Sequence, residues 1–252
     1  MSKNSGLPDY SSYHFKGREG IFYFGQSLLI VAAFSYFFYR SWIAFLLLSP
    51  LLFWLMGNRK KELARKRRQE LGEQFKDLIL SVAANQKAGY SVENAFREAY
   101  KDMRLLYGEE SMVCEEIRHI VLGLDNNVVL ENMLYDLGMR SHHADLMQFA
   151  EVFWIAKRSG GNMTDILQKT AQVIEQKQET DKEIQVMLSA KRMEQKIMNL
   201  VPFLIISYIS MTSTGFFDVL YHNAVGIAIM TVCLVVYVAA YRLSEKIVDI
   251  EV

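Results

Sequence analysis

Four uncharged apolar runs, arranged as two close pairs, limit what this chain can fold into more than any other feature. Residues 20–39 (GIFYFGQSLLIVAAFSYFFY) and 42–57 (WIAFLLLSPLLFWLMG) contain no Asp, Glu, Lys or Arg and are separated only by Arg40 and Ser41. Residues 199–217 (NLVPFLIISYISMTSTGFF) and 224–241 (AVGIAIMTVCLVVYVAAY) make a second pair across a short connection. The hydrocarbon core of a bilayer takes about 20 apolar residues as helix, because no water is there to bond an open backbone. The runs therefore predict four membrane spans in two hairpins, 20–57 and 197–241, with the second span short. The first run does not read as a cleaved leader: its apolar core is too long, the preceding residues lack a compact basic region, and no small-residue cleavage site follows.

Lys and Arg near span ends set orientation. Directly after the second run comes NRKKELARKRRQ, with seven basic residues from Arg59 to Arg68, whereas the two tight loops carry Arg40 and none at 218–223. The middle of the chain and both termini are thus expected on the cytoplasmic side, and Arg242 and Lys246 agree. The expected organisation is a cytoplasmic N-terminal segment 1–19, the hairpin 20–57, a basic juxtamembrane segment 58–70, a cytoplasmic domain 71–196, the hairpin 197–241 and a cytoplasmic tail 242–252.

The chain is formally neutral, yet its charges are partitioned. From Glu70 to Glu183 there are 20 acidic residues against 12 basic ones, beside the strongly basic 58–70 stretch. A basic collar next to a membrane meets anionic lipid headgroups, and an acidic domain argues against nucleic acid as a partner. The two cysteines, Cys114 and Cys233, lie far apart in sequence and suggest neither a disulfide nor a metal cluster, as suits a reducing compartment.

No proline occurs between Gly57 and Ile197, and glycines fall at 89, 108, 123, 138 and 160/161 in a stretch otherwise rich in helix formers. Glycine at such intervals reads as a series of helix ends. Each interval carries an apolar stripe of helical period: Phe75, Leu78, Ile79, Val82; Val92, Ala95, Phe96, Ala99, Met103, Leu106; Val113, Ile117, Ile120; Leu130, Leu134, Leu137; Leu146, Phe149, Phe153; Leu167, Ala171, Ile174. The fold class expected is an all-α membrane protein with a six-helix cytoplasmic bundle between two pairs of transmembrane helices. Beyond Ile174 the stretch EQKQETDKE is polar all round, and without a breaker before Pro202 it reads as one long helix continuing to the third span.

Two segments share an order of residue types. In KAGYSVENAF (87–96) and RSGGNMTDIL (158–167), a glycine precedes a capping residue and then an apolar helix start. Gly89 and Gly160 can take the left-handed conformation that ends one helix. Gly161 follows within the second turn, and Ser91 and Asn162 can accept the free N–H groups of the next helix. Both are expected to be tight helix hairpins.

Residues able to do chemistry are few. The G-x-x-x-x-G-K-[ST] phosphate loop is missing, and no lysine follows Gly160-Gly161 to meet a phosphate. Glu116 and His119 have a Glu-x-x-His spacing, but a di-iron bundle needs a second such pair. His142, His143 and Asp145 suit a helix start better than a metal. The spans carry no charge that would mark a solute pathway. The expectation is a non-enzymatic chain with no catalytic residue, cofactor or metal.

The segment from about Phe75 to Pro202 resembles the type II secretion system F family, the polytopic platform proteins of type II secretion and type IV pilus machines. The resemblance is carried by KAGYSVENAF, by FAEVFWIAKRSGGNMTDILQKTAQVI, by the long polar helix and by the proline-bearing span at Val201-Pro202-Phe203. One domain between two pairs of spans, with the tail YRLSEKIVDIEV, is similar to the single-domain platform proteins of tight-adherence (Tad) pilus systems. The resemblance implies a cytoplasmic-membrane protein that contacts a hexameric secretion ATPase, a sister platform subunit or further copies of itself, and pilins. On that reading Glu109, Glu110, Glu115, Glu116 and Glu179 form a candidate partner surface. The competing reading is a membrane-anchored helical scaffold or signalling protein.

Overall fold

In the computed structural model, residues 8–11, 17–39, 45–46, 49–159, 162–213, 215, 221 and 223–248 are described, and the regular elements among them are helices. In order these are α1 (Gly17–Tyr39), α2 (Ser49–Lys87), α3 (Val92–Tyr107), α4 (Met112–Asp125), α5 (Leu130–Ser141), α6 (Ala144–Ser159), α7 (Met163–Thr212) and α8 (Ala224–Val248). The chain divides into two units, one of residues 60–180 with the N-terminal residues, the other of residues 15–59 and 181–252.

The two longest helices cross the division. α2 runs 39 residues through the end of the second apolar run, the whole basic segment and the first apolar stripe. Its proline, Pro50, sits in the first turn, where a missing N–H costs nothing. α7 runs 50 residues, so the polar stretch after Ile174 is continuous helix, as its lack of breakers predicts. Pro202 lies inside it and removes the donor that the Met198 carbonyl would use. One residue on, the Asn199 carbonyl accepts the Tyr237 hydroxyl at 3.0 Å, tying α8 to the interrupted turn.

In the larger unit, α2 to α7 contribute to one core. Phe75, Leu78, Ile79 and Val82 meet Ala95, Phe96, Ala99, Ile117, Leu134, Phe149, Phe153 and Leu167 there. Phe75 packs edge-on to Phe149 with ring centroids 5.2 Å apart, and Phe96 does so to Phe153 at 6.4 Å. The apolar stripes read from the sequence are thus mainly the buried faces. Leu106 is the exception, 66% exposed, because α3 ends one residue later and its last turn overhangs the core.

The glycines divide into two kinds. Gly89 (φ +98°) and Gly108 (φ +82°) end α2 and α3 as expected. Gly123 and Gly138, also expected as helix ends, lie inside α4 and α5. A Cβ on Gly123 would come within 2.2 Å of Met133 Sδ, and one on Gly138 within 3.1 Å of Met147 Cα. These two are contact glycines that let neighbouring helices approach. The turns themselves are made by Asn127 (φ 58°) and His142 (φ 49°), two residue types that tolerate the left-handed region.

In the smaller unit Phe38, Met230 and Leu234 are buried, with Phe34, Phe37 and Phe203 packed on them. The Tyr39 and Thr231 hydroxyls are 2.9 Å apart, and the Tyr221 hydroxyl donates to the Phe37 carbonyl at 2.7 Å. Among the described residues two helical segments are long and apolar enough to cross a membrane, Glu19–Tyr39 and Val225–Ile247. Most of their large side chains point outward, among them Ile21, 74% exposed, and Val225, 65%. Lipid rather than water suits such a surface. The two inner runs, 42–57 and 199–217, fall partly on residues outside those described.

Candidate partner surface and the network beneath it

The first hairpin turn is built as its residues require. The Gly89 N–H donates to the Gln86 carbonyl at 2.9 Å and the Tyr90 N–H to the Asn85 carbonyl at 3.2 Å, closing α2. Ser91 is extended (φ −60°, ψ 157°), and its hydroxyl accepts the Asn94 N–H at 3.3 Å, capping α3. Of the second turn, Gly160 and Gly161 lie outside the described residues. Asn162 is described just ahead of α7; its Nδ2 donates to Asp165 Oδ2 at 2.8 Å, and its carbonyl accepts the Ile166 N–H at 3.2 Å.

The acidic residues of the candidate surface separate into two groups. Glu109 and Glu110 stand exposed in the turn between α3 and α4, and Glu115 and Glu179 are exposed on α4 and α7. Glu109 pairs with Arg104 at 3.3 Å. Beside the turn lies an open groove of about 770 Å³ whose walls carry Lys66, Arg67 and Glu70 from α2 opposite Glu109 and Glu110. Its charges are mixed, which fits a polar protein surface better than a single-sign ligand.

Glu116 is a correction. Expected on the partner surface, it is 2% exposed, on the inward face of α4. Arg140 of α5 grips it with two parallel bonds, Nη1 to Oε1 at 2.9 Å and Nη2 to Oε2 at 2.7 Å. The Tyr10 hydroxyl donates to the same Oε1 at 2.9 Å. The reason is visible in the apolar stripe: Glu116 is three residues after Val113 and four before Ile120, on the face that turns inward. A charge on that face has to be paired, and Arg140 supplies the pairing. Burial, and the carboxylate beside it, raise the pKa of the Tyr10 hydroxyl, so it stays a donor.

Polar ties elsewhere fasten helix to helix. Lys157 on α6 reaches Glu93 of α3 at 3.1 Å and Glu131 of α5 at 3.2 Å. Buried Asp145 accepts Lys177 of α7 at 2.5 Å. Ser111 makes no side-chain cap on α4; instead buried Gln74 of α2 accepts the Val113 N–H at 3.1 Å. Tyr107 donates to Asp77, and burial followed by that bond pushes its hydroxyl up to about 12. Among the described residues no group of His, Cys, Asp and Glu is placed to hold a metal ion. The Glu116–His119 spacing is split by the helix, His119 facing out while Glu116 faces in.

Tyr10, Arg140 and Lys157 carry much of this network without having been singled out in the sequence. The signal for Glu116, Gln74 and Asp145 was there: each falls on a stripe of otherwise apolar positions. Tyr10 had none, since a short segment has no period to read.

Residues 78–211 match the family described as Type II secretion system (T2SS), protein F. No curated protein and no solved structure matches the chain. The match runs from the core face of α2 through the whole of α3 to α6 and along α7 past Pro202, 134 of the 252 residues. With that match and two outward-facing apolar helices, the chain belongs to the type II secretion system F family, membrane platform proteins of secretion machinery.

Proposed function

We propose that this chain is a platform protein of the cytoplasmic membrane, of the single-domain kind found in tight-adherence pilus systems, and that it couples a hexameric secretion ATPase to the extraction of pilins from the bilayer. The observation that carries the reading is the family match over residues 78–211, most of the larger unit and the continuation of α7 past Pro202. In this reading α2 to α7 form the six-helix cytoplasmic bundle, and α2 and α7 are the helices that run on into the membrane hairpins.

Four spans, with both termini on the bundle side, follow from the same reading. Support comes from Tyr10, which is buried in the larger unit 1% exposed, so residues 8–11 share a compartment with residues 60–180. If α1 crosses the membrane, the chain has to cross again before Lys60, and 42–57 is the uncharged run available for it. The basic collar on α2 then meets anionic headgroups. The chain is not an enzyme on this proposal: ATP chemistry belongs to the partner, and the exposed carboxylates Glu109, Glu110, Glu115 and Glu179 form the contact face with it.

Photo-crosslinkers at Glu110, Glu115 and Glu179 in the native host test the proposal. Capture of a Walker-motif ATPase, a sister platform subunit or a pilin is expected. Efficient crosslinking that yields none of these would replace motor coupling by a scaffold or signalling role.

A further inference from the structure

Residues 8–11 are held by more bonds than an incidental terminal segment makes. Besides the Tyr10 hydroxyl on Glu116, the Tyr10 N–H donates to the Arg140 carbonyl at 3.2 Å, and Arg140 Nη1 donates back to the Pro8 carbonyl at 3.2 Å. The Arg67 guanidinium lies 5.1 Å from the centre of the Tyr10 ring. Asp9 Oδ1 is 3.4 Å from His142 Nε2 and accepts the Ser11 N–H at 2.8 Å. A four-residue segment thus engages α2, α4, α5 and the turn after α5.

The seat is complete without its occupant. Glu116 keeps both Arg140 bonds when Tyr10 leaves, and Arg140 Nε keeps Asp136 at 2.7 Å. Departure therefore strands no buried charge, the event that makes most buried networks hard to open. Departure also uncovers the Tyr10 ring, which lies in the core of the larger unit, and takes one bond each from Glu116 Oε1 and Arg140 Nη1, so opening gives up a small part of that core while the charge pair stays closed.

We propose that residues 8–11 are a releasable clasp on the larger unit, with Tyr10 as its key and the Glu116–Arg140 pair as its seat, that opens without unfolding that unit. The clasp rests on contacts within one unit and stands or falls separately from the platform reading.

Hydrogen–deuterium exchange on the full chain in lipid nanodiscs tests this. In the native chain, peptides containing Asp9–Ser11 should exchange more slowly than an unstructured terminus, yet at least about 100-fold faster than the buried amides of α4 and α5, which open only globally. Tyr10→Phe, which keeps the ring and loses the donor, should speed exchange of that segment about 5- to 10-fold, the size of one hydrogen bond. Tyr10→Ala should bring it to the unprotected rate while α4 and α5 stay protected. An unprotected segment in the native chain would remove the clasp. Exchange of the segment only in step with α4 and α5 would make it a fixed part of the fold and overturn release. Both readouts come from the native chain, so a variant that failed to fold would not shelter the proposal.

Discussion

Glu116 and Arg140 show how far one residue's position on a helix decides its role. Removing one partner of a buried pair leaves the other charged and unmatched, which costs about 3–5 kcal/mol. Glu116→Ala should fall near the lower end, since Arg140 keeps Asp136 and is partly open to solvent, 16% exposed at its side chain. Thermal unfolding of the full chain in detergent measures this, and Glu116→Leu combined with Arg140→Met should recover much of the loss. Lys157 permits a test by pH. Burial works to raise the Glu93 pKa, but its backbone hydrogen bond and Lys157 outweigh that and lower it below its ordinary 4.5. A carboxylate with a depressed folded pKa stabilises above its unfolded value, and the contribution is lost as pH falls through the folded one. Burial works to lower the Lys157 pKa, and Glu93 and Glu131 outweigh it and raise it above 10.5, a contribution lost only as pH rises beyond that. The stability difference between the native chain and Lys157→Met should therefore be flat from about pH 5 to 10 and shrink below about pH 4.5. A difference that persisted at pH 3 would mean that Lys157 acts through packing alone. In the sequence, Glu116 looked like one member of an acidic surface because charge was read without register. Its place between Val113 and Ile120 already marked it as inward-facing.

At the scale of elements, glycine served two purposes that the sequence alone did not separate. Gly89 stands in open space at φ +98°, so a substituent there meets no neighbour and only the backbone objects. Gly89→Ala should cost about 1–2 kcal/mol, the penalty of a left-handed residue with a Cβ. Gly138 has an ordinary helical backbone, but an added Cβ would press on the backbone of Met147. Gly138→Val should cost about 1–3 kcal/mol by forcing α5 and α6 apart. Gly123→Ala should cost less than Gly138→Val, because the atom in its way is the mobile end of Met133. Thermal denaturation of the three variants gives the order, and equal losses at 123 and 138 would contradict it. The helical stripes were legible because Phe75, Ile79 and Val82, or Leu146, Phe149 and Phe153, repeat at the period of the helix. The helix ends at Asn127 and His142 were not, since left-handed Asn and His are far less regular signals than glycine.

For the whole molecule, the proposed sidedness is constrained by one buried side chain. Tyr10 can fill its seat in the larger unit only if the N-terminal segment and that unit face the same compartment. If Glu19–Tyr39 spans the membrane, as proposed, an even number of crossings has to lie between Ser11 and Lys60. On the proposed topology the uncharged run 42–57 and the basic residues that follow it at 59–68 fit that return crossing in composition, and the seat of Tyr10 calls for it by connectivity. Charge bias reports on insertion, whereas the seat reports on the finished fold, so the two are independent of each other. Their joint consequence is measurable in a background where Cys114 and Cys233 are replaced by alanine. Single cysteines at Ser11, Glu110 and Lys246 should react with a membrane-impermeant maleimide only after the cytoplasmic membrane is opened. Cysteines at Ser41 and Asn223, in the two tight loops, should react once the reagent reaches the outer face of that membrane. Labelling of Ser11 from the outer face would separate the N-terminal segment from the larger unit and remove both the two-hairpin topology and the Tyr10 seat. Labelling of Lys246 from that face would leave the seat intact and reduce the C-terminal pair to a single crossing.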